Sequence, residues 1–203
     1  IEIQLKASDT VLPYPLHFVA VEKEGILLDE KKIAVSCFPV SHRIVCWGFL
    51  FKEKEKPLKL DSKKLHQYAI PSSFYQRLKM GEDYIAGNGE VVRNEWLTQP
   101  PEAVRSYAYC ADTLYDESIA ARCMNSTLLY HEATYLDDQR EKAMSRMHST
   151  SRQAAAIALK ANAHHLILGH FSSRYENLEG FAAEAREIFP HTDLALEGTT
   201  YLV

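Results

Sequence analysis

An α/β fold built on a mixed sheet is predicted by three features of the sequence. The opening third carries short β-rich runs separated by turn residues. From Val104 onward, apolar runs of strand length alternate with helical stretches. A charged segment containing Pro57, Pro71, Gly81, Gly87 and Gly89 lies between the two. Strands alternating with helices specify a layered α/β architecture, and the hairpin-rich opening adds antiparallel pairing to it. With 203 residues, 46% of them hydrophobic and 25% charged, the chain is long enough for one domain with a sizeable core and too short for three.

The elements follow in order. IEIQLKA reads as the middle of a strand, which implies a longer parent protein that starts upstream of Ile1. LHFVAV, KIAVSCFPV and IVCWGFLF are further strands. Lys52 to about Pro101 reads as an insertion or arm, with a helix near Ser62 to Tyr68 and a hairpin turn at Gly87 to Glu90. VRSYAYCAD is a strand, Tyr115 to Cys123 a helix with Ile119 and Ala120 on one face, and STLLYHEAT another strand. Thr150 to Asn162 carries the strongest helix signal: Thr150 as N-cap and Gln153 three residues on make a capping box, and Ala154, Ile157, Ala158 and Ala161 form an apolar stripe. HHLILGH is a strand, Glu176 to Phe189 an amphipathic helix stopped by Pro190, and DLALEGTTYLV a closing strand.

Composition excludes several classes. No stretch approaches the ~18 apolar residues of a membrane helix, and no charged start followed by an apolar run marks a signal peptide. Cys37, Cys46, Cys110 and Cys123 are scattered without a C-x-x-C pair, so a reducing cytoplasm is the default compartment. A formal charge of −4 does not suggest a nucleic-acid binder, but its distribution is uneven. Eight basic residues and three acids between Lys52 and Lys79 make that segment +5 and leave −9 on the rest. A basic patch on an acidic body is a docking site for a polyanion, or an ordinary solvated surface.

The informative recurrence lies at strand ends. AVSCFPV runs into Ser41-His42, SYAYC into Ala111-Asp112-Thr113, TLLY into His131-Glu132 and HLILG into His170. Ligands in α/β folds collect at the carboxyl ends of strands, where a rigid sheet aims side chains into loops. Imidazole and carboxylate without thiolate suit a catalytic Zn²⁺ better than a structural one. A single His after a strand also reads as a surface residue, and Asp-Thr as a helix cap; four such ends in one chain weigh against that.

His131-Glu132-Ala133-Thr134, then His148-Ser149-Thr150, then QAAAIALKANAHHLILGHFSSRY resemble ribonuclease Z, the tRNA 3′-processing branch of the metallo-β-lactamase fold. The match is strongest from Tyr109 to Tyr175 and extends from about Lys32 to the C-terminus. The resemblance implies an αββα sandwich, mixed sheets with outer helices, of which residues 1–203 form the C-terminal portion and residues 52–94 an inserted tRNA-binding arm. It implies two Zn²⁺ per intact site, with His42 and His170 each on one metal and Asp112 bridging both. It gives His148 contact with the scissile phosphate and a proton to donate, with Glu132 orienting it. Lys56, Lys59, Arg77 and Lys79 of the arm are the implied tRNA contacts. Arg174, within F-S-S-R-Y, either joins them at a phosphate or pairs with an acid beneath the site. Precursor tRNA as substrate, a homodimer, a cytoplasmic location and no membrane partner complete the expectation.

Three departures accompany the resemblance. The H-x-H-x-D-H run that supplies further ligands in the family is absent from residues 1–203, so the chain alone is expected to be inactive. Ala111 stands where the family usually has Gly, and IPSSFYQRLKMGEDY replaces the arm's usual Gly-Pro-rich stretch. Two alternatives remain open at the level of sequence: a hydrolase of small phosphodiesters or esters, and a non-catalytic RNA-binding fragment.

Overall fold

The computed structural model describes residues 1–203. The chain opens with α1 (Glu2–Ala7), β1 (Gly25–Asp29), β2 (Ile33–Val40) and β3 (Cys46–Glu53). The arm follows, with β4 (Lys59–Leu60), α2 (Ser62–Gln67), α3 (Tyr75–Lys79), β5 (Tyr84–Ile85), β6 (Val91–Val92), α4 (Asn94–Leu97) and β7 (Thr98–Gln99). The remainder alternates: β8 (Ser106–Cys110), α5 (Ser118–Arg122), β9 (Leu128–Glu132), α6 (Arg140–Ser145), α7 (Ser151–Lys160), β10 (His165–Gly169), α8 (Glu179–Arg186) and β11 (Thr192–Leu194).

One seven-stranded sheet runs β1-β2-β3-β8-β9-β10-β11. Its first four strands pair antiparallel, and β8 to β11 pair parallel. The cause is connectivity: the parallel strands are joined by helical crossovers, as parallel pairing requires. Helices α5, α7 and α8 bury Ile119, Ile157 and Phe181 against Phe38, Ala108, Leu129, Leu166 and Leu168 on one face of the sheet. The opposite face carries Phe51, Tyr107, Tyr109 and Tyr130, none of them fully buried, with Phe51 stacked on Tyr107 at 6.0 Å and Tyr109 on Tyr130 at 4.8 Å between ring centroids. This is the mixed α/β sheet the sequence predicts, with helices on one side of it.

Several expected elements change. IEIQLKA is helical rather than extended; its Glu, Gln, Leu, Lys and Ala are good helix formers, and no neighbouring strand supplies the pairing a β-segment needs. LHFVAV joins no strand, and β1 forms instead at GILLD. Of DLALEGTTYLV only the start pairs, against β10. The helices expected at Tyr115 and Glu176 begin at Ser118 and Glu179. The capping box at α7 is present in full: Gln153 N–H donates to Thr150 Oγ1 (3.3 Å), and Thr150 N–H to Gln153 Oε1 (3.0 Å).

The arm stands between β3 and β8, which are antiparallel neighbours. It has its own small core of Leu65, Ile70, Leu78, Val92 and Leu97. Its β4 pairs with β7, so its regular elements run from Lys59 to Gln99, past the expected limit at residue 94. The hairpin at Gly87 to Glu90 is formed by β5 and β6, with Gly89 in the left-handed region at φ 85°.

Candidate active site

The parallel register places Cys110 beside His131, and Glu132 beside Gly169. The carboxyl ends of β8, β9 and β10 therefore open onto one place. Two cross-links draw in the other loops. Ser41 N–H donates to Thr113 Oγ1 (3.1 Å) and Leu114 N–H to Ser41 O (2.7 Å), which ties the loop after β2 to the loop after β8. Ser149 Oγ donates to Thr113 O (2.7 Å), which ties in the loop before α7.

Backbone strain concentrates here. Asp112 (φ 42°), Met147 (φ 60°) and His170 (φ 60°) all occupy the left-handed region without being glycine. Such positions cost about 1–3 kcal/mol each and persist only where the surroundings over-determine them. Gly169 precedes His170 because the Tyr130 ring lies against it: a Cβ there would sit 2.2 Å from Tyr130 Oη.

Glu132 is the hub. Its side chain is fully buried and accepts from Thr113 N–H (2.8 Å), Thr134 N–H (3.0 Å), Thr134 Oγ1 (2.7 Å) and His148 Nδ1 (2.7 Å). Burial pushes its carboxyl up, but the hydrogen bonds from His148 and Thr134, with the nearby His charges, hold it below its ordinary value. The hydrogen bond to Glu132 raises His148, burial opposes that, and the charges of Glu132 and Asp112 reinforce it. The buried carboxylate thus favours the protonated form of His148 and engages its Nδ1, not its Nε2.

The hydrogen bonds fix tautomers. Thr134 Oγ1 spends its proton on the Glu132 carboxylate, so His170 Nδ1, 2.8 Å from that oxygen, must be the donor. His170 Nε2 lies 3.0 Å from Asp112 Oδ1, a separation that suits a proton or a cation shared between them. Asp112, His148 and His170 bring ligand atoms within 4.8 Å of one another. His42 donates Nδ1–H to Met147 O (2.9 Å), which leaves its Nε2 lone pair free, and its ring stands 5.1 Å from that of His148. Nitrogen and carboxylate ligands with correctly oriented lone pairs fit a divalent transition metal such as zinc.

The structure therefore gathers His42, Asp112, Glu132, His148 and His170, and puts His148, expected as a proton donor, within the ligand cluster itself. The arm cations are spent differently. Lys56 pairs with Glu53 (3.0 Å) and Glu102 (3.5 Å), Lys59 with Glu102 (2.8 Å) and Arg77 with Glu82 (2.6 Å), while Lys79 makes no ion pair. Arg174 meets no acid: it lies over the Tyr135 ring at 5.7 Å and shares a groove with His148. Thr113 and Thr134 escape sequence reasoning as site residues, although they lie close to the strand ends at Asp112 and Glu132. His131 is buried and lowered by that burial; its Nδ1 donates to Glu132 O (2.7 Å), and its Nε2 has no partner.

The mixed sheet with its outer helices has the metallo-β-lactamase fold, and His and Asp side chains that could hold a metal converge at its strand ends. The metallo-β-lactamase fold protein YhfI of Bacillus subtilis superposes with a TM-score of 0.56 at 17% identity, covering 87% of this chain and 52% of its own. No protein-family model matches. The ribonuclease Z of Cytophaga hutchinsonii is 44% identical in an alignment of 208 positions that covers 100% of this chain and 66% of that one. The ribonuclease Z of Parabacteroides distasonis is 39% identical over 189 residues, 92% and 62% of the two chains. The chain belongs to the ribonuclease Z family, and it spans 66% or less of the length of these curated relatives.

Proposed function

We propose that this chain carries the C-terminal part of the active site of a zinc-dependent endoribonuclease. The enzyme removes 3′ trailers from precursor tRNA by hydrolysis and leaves a 3′-hydroxyl. The observation that carries this reading is the buried Glu132–His148 pair set against the Asp112–His170 cluster at the ends of parallel strands. The ribonuclease Z names of the relatives support the substrate class.

His42, Asp112 and His170 would hold zinc. When bound, it supplies a nucleophilic water at neutral pH and neutralises charge on the phosphoryl oxygens. The chain's own residues do the rest. Asp112 has two oxygens and suits a bridging position. Glu132 takes the Nδ1 proton of His148 into a short hydrogen bond, so Nε2–H is the proton left to face substrate. Attack on phosphorus breaks the bond to the 3′ oxygen, and His148 passes its Nε2 proton to that leaving oxygen.

His42, Asp112 and His170 do not by themselves complete a two-metal centre, so residues 1–203 alone are proposed to be inactive. The homodimer and the cytoplasmic compartment stand as proposals from the resemblance; no helix is long and apolar enough to cross a membrane. In the full-length enzyme, His148→Ala is expected to abolish cleavage of precursor tRNA while tRNA binding persists; cleavage at the normal rate refutes the assignment. The carboxylates that occupy Lys56, Lys59 and Arg77 favour a second reading, hydrolysis of small phosphodiesters. In the same assay, removal of Lys52 to Lys79 separates the two. Loss of tRNA processing with retained hydrolysis of a chromogenic phosphodiester supports the ribonuclease.

A further inference from the structure

A groove of about 640 Å³ opens beside His42 and His148, between α6 and the loops that follow β2 and β10. Arg43, Lys142, Arg146 and Arg174 line it, and no carboxylate does. None of the four takes part in an ion pair, whereas most arginines of this chain do. Three acids of the surrounding elements are engaged: Asp137 holds Arg140 and Thr150, Glu132 holds His148, and Asp112 lies 3.0 Å from His170 Nε2. Tyr135 fixes two of the cations, with Lys142 Nζ 5.8 Å and Arg174 Cζ 5.7 Å from its ring centroid. Its ring in turn meets that of His148 edge-on at 6.4 Å. Lys142 on α6 and Arg146, the residue that caps its C-terminus, both line the groove.

Unpaired cations held together on a body of net negative charge repel one another unless an anion joins them. The groove also contains the side chain proposed to meet the scissile phosphate. We propose that it seats a backbone phosphate of the RNA strand next to the scissile one. Lys142 and Arg146 are its ligands, and Arg43 and Arg174 flank it. This rests on the ribonuclease reading and adds to it an RNA-binding surface on the sheet domain, distinct from the arm.

The test is fluorescence anisotropy of the 203-residue chain with a short fluorescein-labelled single-stranded RNA, titrated at several salt concentrations. Lys142→Ala with Arg146→Ala is expected to weaken binding about tenfold at moderate salt. The slope of log affinity against log salt should fall by about 0.7 for each phosphate that is no longer neutralised. The charge-keeping pair Lys142→Arg with Arg146→Lys should restore both, and Lys6→Ala with Lys31→Ala should change neither. Unchanged affinity and slope in the alanine pair, with the parent chain binding normally, overturn the groove and leave the ribonuclease reading standing. Failure of the unsubstituted chain to bind the RNA at all overturns the groove, while the ribonuclease reading stands or falls with His148→Ala in the full-length enzyme. Circular dichroism of each variant checks that the fold is retained.

Discussion

At the scale of single residues, the chemistry turns on Glu132. Four donors converge on it, and it has no access to water. Glu132→Gln removes the charge that three of those donors and the His148 imidazolium were arranged around, at a cost of about 1.5–3 kcal/mol. The pH dependence follows from the two displaced titrations. Glu132 lies below its ordinary 4.5, so its contribution is present above that pH and lost as pH falls through the depressed folded value. His148 lies above its ordinary 6.5, so its contribution is complete below that pH and lost as pH rises through the raised folded value. The pair is at full strength between 4.5 and 6.5. Denaturant unfolding of the metal-free chain should therefore show the largest wild-type advantage over Glu132→Gln inside that window, shrinking on both sides; a flat difference would sink the assignment.

At the scale of elements, the close approach of Phe38 to Gly48 locks β2 onto β3. A Cβ at Gly48 would lie 2.3 Å from the Phe38 ring, which belongs to the main core. Gly48→Ala is expected to cost about 1–3 kcal/mol, visible as a lower denaturation midpoint, because a packed ring has nowhere to go. This close approach is not legible in the sequence, since Gly48 and Phe38 meet only through strand pairing. The capping box at Thr150 is legible because its partners are three residues apart. The strand ends at His42, Asp112, Glu132 and His170 are legible for a similar reason: a run of apolar residues and its polar terminus are contiguous. The Thr134 bridge between Glu132 and His170 spans two strands and becomes visible only in three dimensions. IEIQLKA misleads because Ile1, Ile3 and Leu5 satisfy a period of two, while sheet pairing, which would have selected the strand, is missing. GILLD escapes a reading by pattern although it pairs with β2, because its apolar side chains are exposed and give no alternation.

At the scale of the whole molecule, two cores coexist in one chain. The main core spans the large sheet and its helices, and the arm has five buried apolar residues of its own. Because β3 and β8 are direct neighbours, the arm leaves and returns at adjacent points, and its folding is expected to be separable from that of the sheet. Leu78, fully buried at the centre of the arm, is the place to test this. Leu78→Ala should destabilise the arm by about 2–5 kcal/mol. Hydrogen exchange should then accelerate between residues 59 and 99 while amides of β8, β9 and β10 keep their protection; uniform acceleration would show a single cooperative unit.

The tier of rings formed by Phe51, Tyr107, Tyr109 and Tyr130 has a bearing on handling as well as on architecture. The three tyrosines are half-buried and burial raises the hydroxyls of Tyr107 and Tyr130, so this side of the sheet offers water a mostly apolar aromatic surface. Purified alone, the polypeptide is expected to self-associate through this plane as its concentration rises, which light scattering across a dilution series would show.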